Sequence, residues 1–270
     1  MKVVLTGSAA LSTCILTAYA VLHSPTQTSH AAPAGTRTPV VVELFTSEGC
    51  SSCPPADALL AGLELQQPIE NVDVIALEEH VDYWNELGWV DPFSSHDWTA
   101  RQYAYSGVLG NGNPYTPQMV VDGRTEFVGG QVRKARQVIS ESARTEKAQV
   151  TVVPGSTGKP GTETLSLKIG KLPVAKQNDK VEVWLAITET GLHSDVKRGE
   201  NSGQDLHHAA VVRSIRKIGE AKGGEEVSFA GDVNVVLQSG WKRENLKAVV
   251  FVQEKKGLQI LGAAETPVAR

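Results

Sequence analysis

Cysteine is scarce in this chain. Only Cys14, Cys50 and Cys53 occur among 270 residues. That excludes a small disulfide-stapled scaffold and leaves no second Cys-x-x-Cys to complete a four-cysteine zinc site. Methionine is scarcer still. Met1 and Met119 are the whole complement, so there is no run of soft thioether ligands of the sort that suits copper delivery. No long block of Lys or Arg interrupts a formal net charge of −4, which argues against nucleic acid and anionic membrane surfaces as partners. No internal repeat or low-complexity tract is found. Beyond the N-terminal segment, no stretch is apolar enough to span a bilayer, which takes about 20 residues.

What is present fits a soluble globular protein: 41% of residues are hydrophobic and 21% charged. The length suits two domains of ordinary size. The chain starts with Lys2, runs through an uncharged, mostly apolar stretch from Val3 to Leu22, and reaches the small residues Ser29-His30-Ala31-Ala32-Pro33-Ala34. This is the layout of a secretory signal peptide. The expectation is a signal peptide over 1–32 and a flexible leader over 33–39, with the protein exported to the periplasm or secreted. An uncleaved anchor helix is the alternative reading. Cleavage would remove Cys14 and leave Cys50 and Cys53. A bridge between them closes too small a loop to restrict the unfolded chain much, so reactivity explains the pair better than stability does.

Val40 to Phe45 reads as a buried strand, Thr46 to Gly49 as a turn, and Ser51 to about Leu63 as a helix with Pro54 and Pro55 in its first turn. Val72 to Leu77 reads as a second strand, parallel to the first. The aromatic stretch from Glu78 to Tyr115 includes a helix from Trp98 to about Ser106. Thr116-Pro117 precedes a strand and hairpin around Asp122-Gly123, and Gln131 to about Thr145 reads as a closing helix. After Lys147, about seven strands follow without a strong helix between them. The expected architecture is therefore an α/β thioredoxin-like domain over 40–147, followed by an all-β, immunoglobulin-like sandwich over 148–270.

The chemistry centres on Cys50-Ser51-Ser52-Cys53. A cysteine delivered by a strand to a helix N-terminus meets unpaired N–H groups and the positive end of the helix dipole, which favour the thiolate. In this reading Cys50 is the nucleophile and Cys53 resolves the mixed disulfide. Thr116 and Pro117 are the facing element, with Pro117 shaping a groove for an extended substrate. The expected function is thiol–disulfide exchange on a protein or small-molecule substrate, without a cofactor. The alternative is a non-enzymatic protein that binds a partner, or binds Cu(I) through Cys50, Cys53 and His80.

These strings identify a resemblance. Val42 to Asp57, His80-Val81-Asp82-Tyr83-Trp84, Leu87-Gly88-Trp89, Asp91-Pro92-Phe93 and Tyr115-Thr116-Pro117-Gln118 resemble an exported bacterial family catalogued as domain of unknown function 1223. Arg198-Gly199-Glu200-Asn201-Ser202-Gly203 resembles that family's C-terminal segment. The resemblance implies a thioredoxin-like fold and assigns no substrate.

Further candidates surround the pair. His80 either assists the Cys50 thiolate or is a solvated loop residue, and Asp82 either orients His80 or caps the next turn. Trp84 lines a groove or packs the inserted segment. Glu43, in an apolar strand, is either a proton acceptor beneath the cysteines or a solvent-facing residue. Glu48 opposes thiolate formation if it points at the sulfur. Arg198 to Asn201 and the adjacent His207-His208 read as a solvated loop or an interdomain contact. Neighbouring histidines on a strand face opposite ways and make a poor chelate.

Overall fold

The computed structural model describes residues 37–110, 112–155, 161–173 and 179–268, together with Met1 and Lys2. The expected signal segment, apart from Met1 and Lys2, and most of the leader lie outside the described residues. No helix among the described residues is long and apolar enough to cross a membrane.

Strand β1 (Thr38–Thr46) leads through the cysteine turn into helix α1 (Pro54–Gln66), and strand β2 (Val72–His80) returns parallel to β1. The helix begins three residues later than expected, with Cys53 as its N-cap. Pro54 and Pro55 lack N–H groups and so fit the first turn, where none is needed. Cys50 instead starts a hydrogen-bonded turn, in which Cys53 N donates to Cys50 O at 3.1 Å. Helix α2 (His96–Leu109) is capped by Ser95, whose side chain accepts from Asp97 N. Strands β3 (Gln118–Val121) and β4 (Thr125–Val128) form a hairpin, and helix α3 (Val132–Ser142) follows. Then come β5 (Val150–Pro154), β6 (Thr162–Gly170), β7 (Val181–Glu189), β8 (Leu192–Asp195), β9 (Asp205–His208), β10 (Val211–Ala221), β11 (Val227–Val236), β12 (Leu246–Glu254) and β13 (Ile260–Pro267).

The strands do not divide into the expected thioredoxin-like α/β domain and immunoglobulin-like sandwich. Eight of them form one mixed sheet in the order β13-β12-β7-β10-β2-β1-β3-β4. The join is β10 on β2, a parallel bridge between Val211 and Glu78 reinforced by Glu78 N donating to Ala210 O at 2.9 Å. The edge of β2 that would end a separate α/β domain is therefore paired. A three-stranded sheet, β11-β6-β5, packs with β7 and β12 through Leu165, Leu167 and Ile169 against Val183, Leu185 and Val250.

Side-chain alternation explains the burial of β1 on both faces. Val40, Val42 and Leu44 meet Ala56 and Leu60 of α1 and Ile139 of α3. Val41 meets Ile75, Trp98 of α2, and Val249 and Phe251 of β12. That last cluster crosses the join between β2 and β10. The sheet also coils until its ends meet, with Ile260 N donating to Asp122 O at 2.9 Å. At Gly123 (φ 60°) an added Cβ would stand 1.9 Å from Leu258 O, so only glycine fits there.

Candidate functional site

Cys50 and Cys53 are joined by a disulfide with Cα atoms 5.5 Å apart, and both residues are fully buried. Cys50 Sγ lies 3.3 Å from Ser52 Oγ. The Thr116–Pro117 peptide bond is cis. Three elements converge around the pair. A Cβ built on Gly129 would stand 2.7 Å from Ala56 Cβ and 2.9 Å from Pro117 Cβ, which places Pro117 against the first turn of α1. Trp84 Nε1 donates to Thr116 Oγ1 at 2.9 Å, and Trp84 Cβ would lie 3.1 Å from a Cβ on Gly49. Cys50, Cys53, Thr116, Pro117 and Trp84 are thus brought into one neighbourhood.

The cover comes from the far side of the sequence. The loop 196–204 between β8 and β9 lies over the cysteine turn. Asn201 Nδ2 donates to Glu48 O at 2.9 Å and to Cys50 O at 3.0 Å, and Glu200 Oε2 accepts from Ser51 N at 3.0 Å. The loop is closed on itself by Val196 N to Gln204 O and Gly203 N to Val196 O. It is the segment read from sequence as either solvated or an interdomain contact, and it contacts the disulfide turn directly.

Beside the turn is a buried ionic cluster. His80 Nδ1 donates to Asp91 Oδ2 at 2.7 Å, and Asp91 Oδ2 also accepts from Glu48 N at 2.8 Å. His208 Nδ1 donates to Glu78 Oε1 at 2.8 Å and its Nε2 to Glu48 Oε1 at 3.2 Å. Trp89 Nε1 takes the other Glu48 oxygen at 2.7 Å. Both Glu48 oxygens are therefore engaged by Trp89 and His208.

Burial lowers the His80 pKa, but Asp91 and Glu78 more than offset it and hold it well above its ordinary value. For His208, burial again pulls down while Glu78 and Glu48 raise the value to about 9. Burial raises Glu78, yet His208 and His80 leave it net lowered; Asp91 is net lowered against its burial by His80 and the N–H groups of Glu48 and Phe93. Asp57, one turn beyond Cys53 on the same helix face, is pushed up to about 7 by burial and by Glu78. Thr46 Oγ1 donates to it at 2.6 Å.

Two sequence candidates sit elsewhere. Asp82 does not bond His80. It accepts from Thr99 Oγ1 at 2.6 Å and faces His96 Nδ1 at 3.3 Å, at the start of α2. Glu43 projects toward α2, away from the α1 face, where it accepts from Arg101 Nε at 2.6 Å and from the Tyr105 hydroxyl. Glu79 lies 3.4 Å from the same guanidinium. Sequence reasoning did not single out Glu78, Asp91, Asn201 or His208 as site residues. One signal was available: Glu78-Glu79-His80 extends a strand buried on both faces, where charged residues need partners.

No curated protein matches the chain. Among solved structures, it is 30% identical to protein AGR_C_4864 of Agrobacterium tumefaciens over 84% of this chain and 92% of that one, with a TM-score of 0.61. HBP35 of Porphyromonas gingivalis shares the fold at 17% identity, covering 87% of this chain and 76% of its own, with a TM-score of 0.64. The family model described as "Protein of unknown function (DUF1223)" matches residues 41–253, which contain the cysteine turn, the ionic cluster and the covering loop. The chain belongs to the DUF1223 family.

Proposed function

We propose that the protein is a thiol–disulfide oxidoreductase acting through Cys50 and Cys53, on a protein or small-molecule thiol. The observation that carries this reading is the position of the disulfide. It closes immediately before α1, with Cys53 as N-cap and Pro117 against the first turn. A thiolate released there is stabilised by the helix N-terminus.

A substrate thiolate attacks Cys50 Sγ. The Cys50–Cys53 bond breaks, a mixed disulfide forms at Cys50, and Cys53 leaves as a thiolate. Asp57, with its pKa near 7, is a proton source for that thiolate one turn away. A second substrate thiolate then attacks the substrate sulfur of the mixed disulfide. The substrate leaves oxidised to a disulfide, and the protein is left as a dithiol. The reverse sequence reduces a substrate disulfide. Export, if it occurs, would put this chemistry in a compartment where disulfides persist.

The test is equilibration of the purified chain in glutathione redox buffers with thiol trapping. A reversible two-electron couple is expected. Cys50→Ser should abolish exchange, and Cys53→Ser should trap a mixed disulfide at Cys50. A disulfide that never exchanges with glutathione across the whole buffer range, under conditions where the protein stays folded, would sink the proposal.

A further inference from the structure

Glu78, His80 and His208 are buried together beside the redox-active turn, and hydrogen bonding alone leaves the cluster incomplete. His80 Nε2 is fully buried and has no hydrogen-bond partner among the described residues; Glu78 Oε1 faces it at 3.6 Å. Buried polar atoms are seldom left unpaired without a reason. The ligand-type atoms of the three residues all lie within 4.8 Å of one another. From this arrangement we infer a binding site for a divalent transition-metal ion of the zinc class, held by the Glu78 carboxylate, His80 Nε2 and His208 Nδ1.

The donor set and its surroundings fit that ion. Two imidazoles and a carboxylate suit zinc and its first-row neighbours, not calcium or magnesium. Zinc–nitrogen bonds of about 2.0–2.1 Å put neighbouring tetrahedral ligand atoms about 3.3 Å apart. The 3.6 Å between Glu78 Oε1 and His80 Nε2 already matches, and the 2.8 Å between Glu78 Oε1 and His208 Nδ1 opens by a few tenths of an ångström.

Each histidine also carries the outer partner that a metal-ligating imidazole uses to fix its tautomer. The other nitrogen of His80 is on Asp91 at 2.7 Å, and the other nitrogen of His208 is on Glu48 at 3.2 Å. The second Glu78 oxygen accepts from Ala209 N at 3.0 Å, which fixes the carboxylate. The imidazole rings are 4.7 Å apart and steeply inclined, with Phe93 edge-on to both.

Charge is compatible with the ion. Glu48, Glu78 and Asp91 are buried in this region with the two histidines. A divalent cation takes over the balance of those carboxylates from the two imidazole protons it displaces. On binding, His80 releases its Nε2 proton and His208 its Nδ1 proton to solvent. The ion would tie β9 to the end of β2, and the route in opens when the hairpin carrying His208 and the covering loop lifts.

The site differs from a copper centre at the cysteines, and the experiment separates them. The purified full chain is stripped with a chelator and titrated with Zn2+ against a competing indicator, then loaded with Co2+ for absorption spectroscopy. One ion per chain is expected. His80→Ala and His208→Ala should each weaken binding at least about 100-fold, and Glu48→Gln about 10-fold. The Cys50→Ser, Cys53→Ser double variant should bind as tightly as the unaltered chain. The Co2+ spectrum should show d–d bands without thiolate charge transfer. Because the histidine variants risk unfolding, the spectrum of the unaltered chain and the cysteine variant decide the matter on their own. Absence of one-to-one Zn2+ binding, a thiolate band, or loss of binding in the cysteine variant would each overturn the site.

Discussion

Removing the amide of Asn201 should expose the disulfide to reductants. Both cysteines are fully buried, so a reductant reaches them when part of their cover lifts, and the loop 196–204 is a part held by few hydrogen bonds. Between loop and cysteine turn stand two hydrogen bonds from Asn201 Nδ2, to Glu48 O and Cys50 O, and one from Ser51 N to Glu200. The Glu200 bond is exposed and contributes little. Each Asn201 bond contributes a net ~0.5–1.5 kcal/mol, so Asn201→Ala should favour the open form by about 1–3 kcal/mol. At 1.4 kcal/mol per tenfold, the open fraction rises about 5- to 150-fold, and so should the rate of reduction by dithiothreitol if opening equilibrates faster than attack. The assay follows free thiol by alkylation and mass spectrometry, at several reductant concentrations and in 0–1 M urea. Opening one loop exposes little surface, so the rate should vary only weakly with urea. A rate in Asn201→Ala within twofold of the unaltered chain, or a urea dependence as steep as that of global unfolding, would refute the loop as the barrier.

Other consequences are open to direct measurement. Arg101→Met should destabilise the fold by about 3–5 kcal/mol in urea denaturation, because it leaves buried Glu43 and Glu79 without their shared cation. A loss below 1 kcal/mol would show that the two acids find other partners. Gly129→Ala should cost about 1–3 kcal/mol, since its methyl meets Ala56 and Pro117 at 2.7 and 2.9 Å. An unchanged midpoint would mean that the junction of Pro117 and α1 has slack. Glu265 on β13 is raised to about 6 by burial and by Glu64, so its folded pKa lies above its unfolded value of about 4.5. The folded state therefore binds its proton more tightly, and stability rises as pH falls through 6 toward 4.5. Relative to the unaltered chain, Glu265→Gln should be more stable by up to about 2 kcal/mol at pH 7 and lose that advantage near pH 4.5. A constant difference between the two proteins across that range would count against it.

Local chemistry was legible in the sequence, and long-range pairing was not. The apolar run 40–45, the prolines after Cys53 and the strand following Pro117 announced β1, α1 and β3, because each depends on its own residues. Apart from the short β8 and β9, the seven other later strands among the described residues were also readable from alternation. Their assembly was not: the join of β10 to β2 rests on a Val211–Glu78 pairing across more than a hundred residues, and no local pattern encodes it. The same holds for the ionic cluster. Alternation correctly sends His207 and His208 to opposite faces, the first exposed and the second buried. It says nothing of what the inward one meets, which is Glu78 from another strand. Asp82 was the nearer carboxylate to His80 in sequence, but the chain turns it toward Thr99, and Asp91 takes its place.

The covering loop also sets an order of events during synthesis. Ser51 and Glu200 stand 149 residues apart, and Cys50 and Asn201 stand 151 apart. Contacts at that separation form late, after the loop entropy between them has been lost. Until the ribosome has delivered residue 201, the cysteine turn lacks its bonds to Asn201 and Glu200, and the nascent chain offers both thiols more readily to whatever oxidant is present. Once the loop closes, the same bond exchanges only through openings of its cover. The rate at which the finished molecule changes oxidation state is then set by that opening as well as by the thiols themselves.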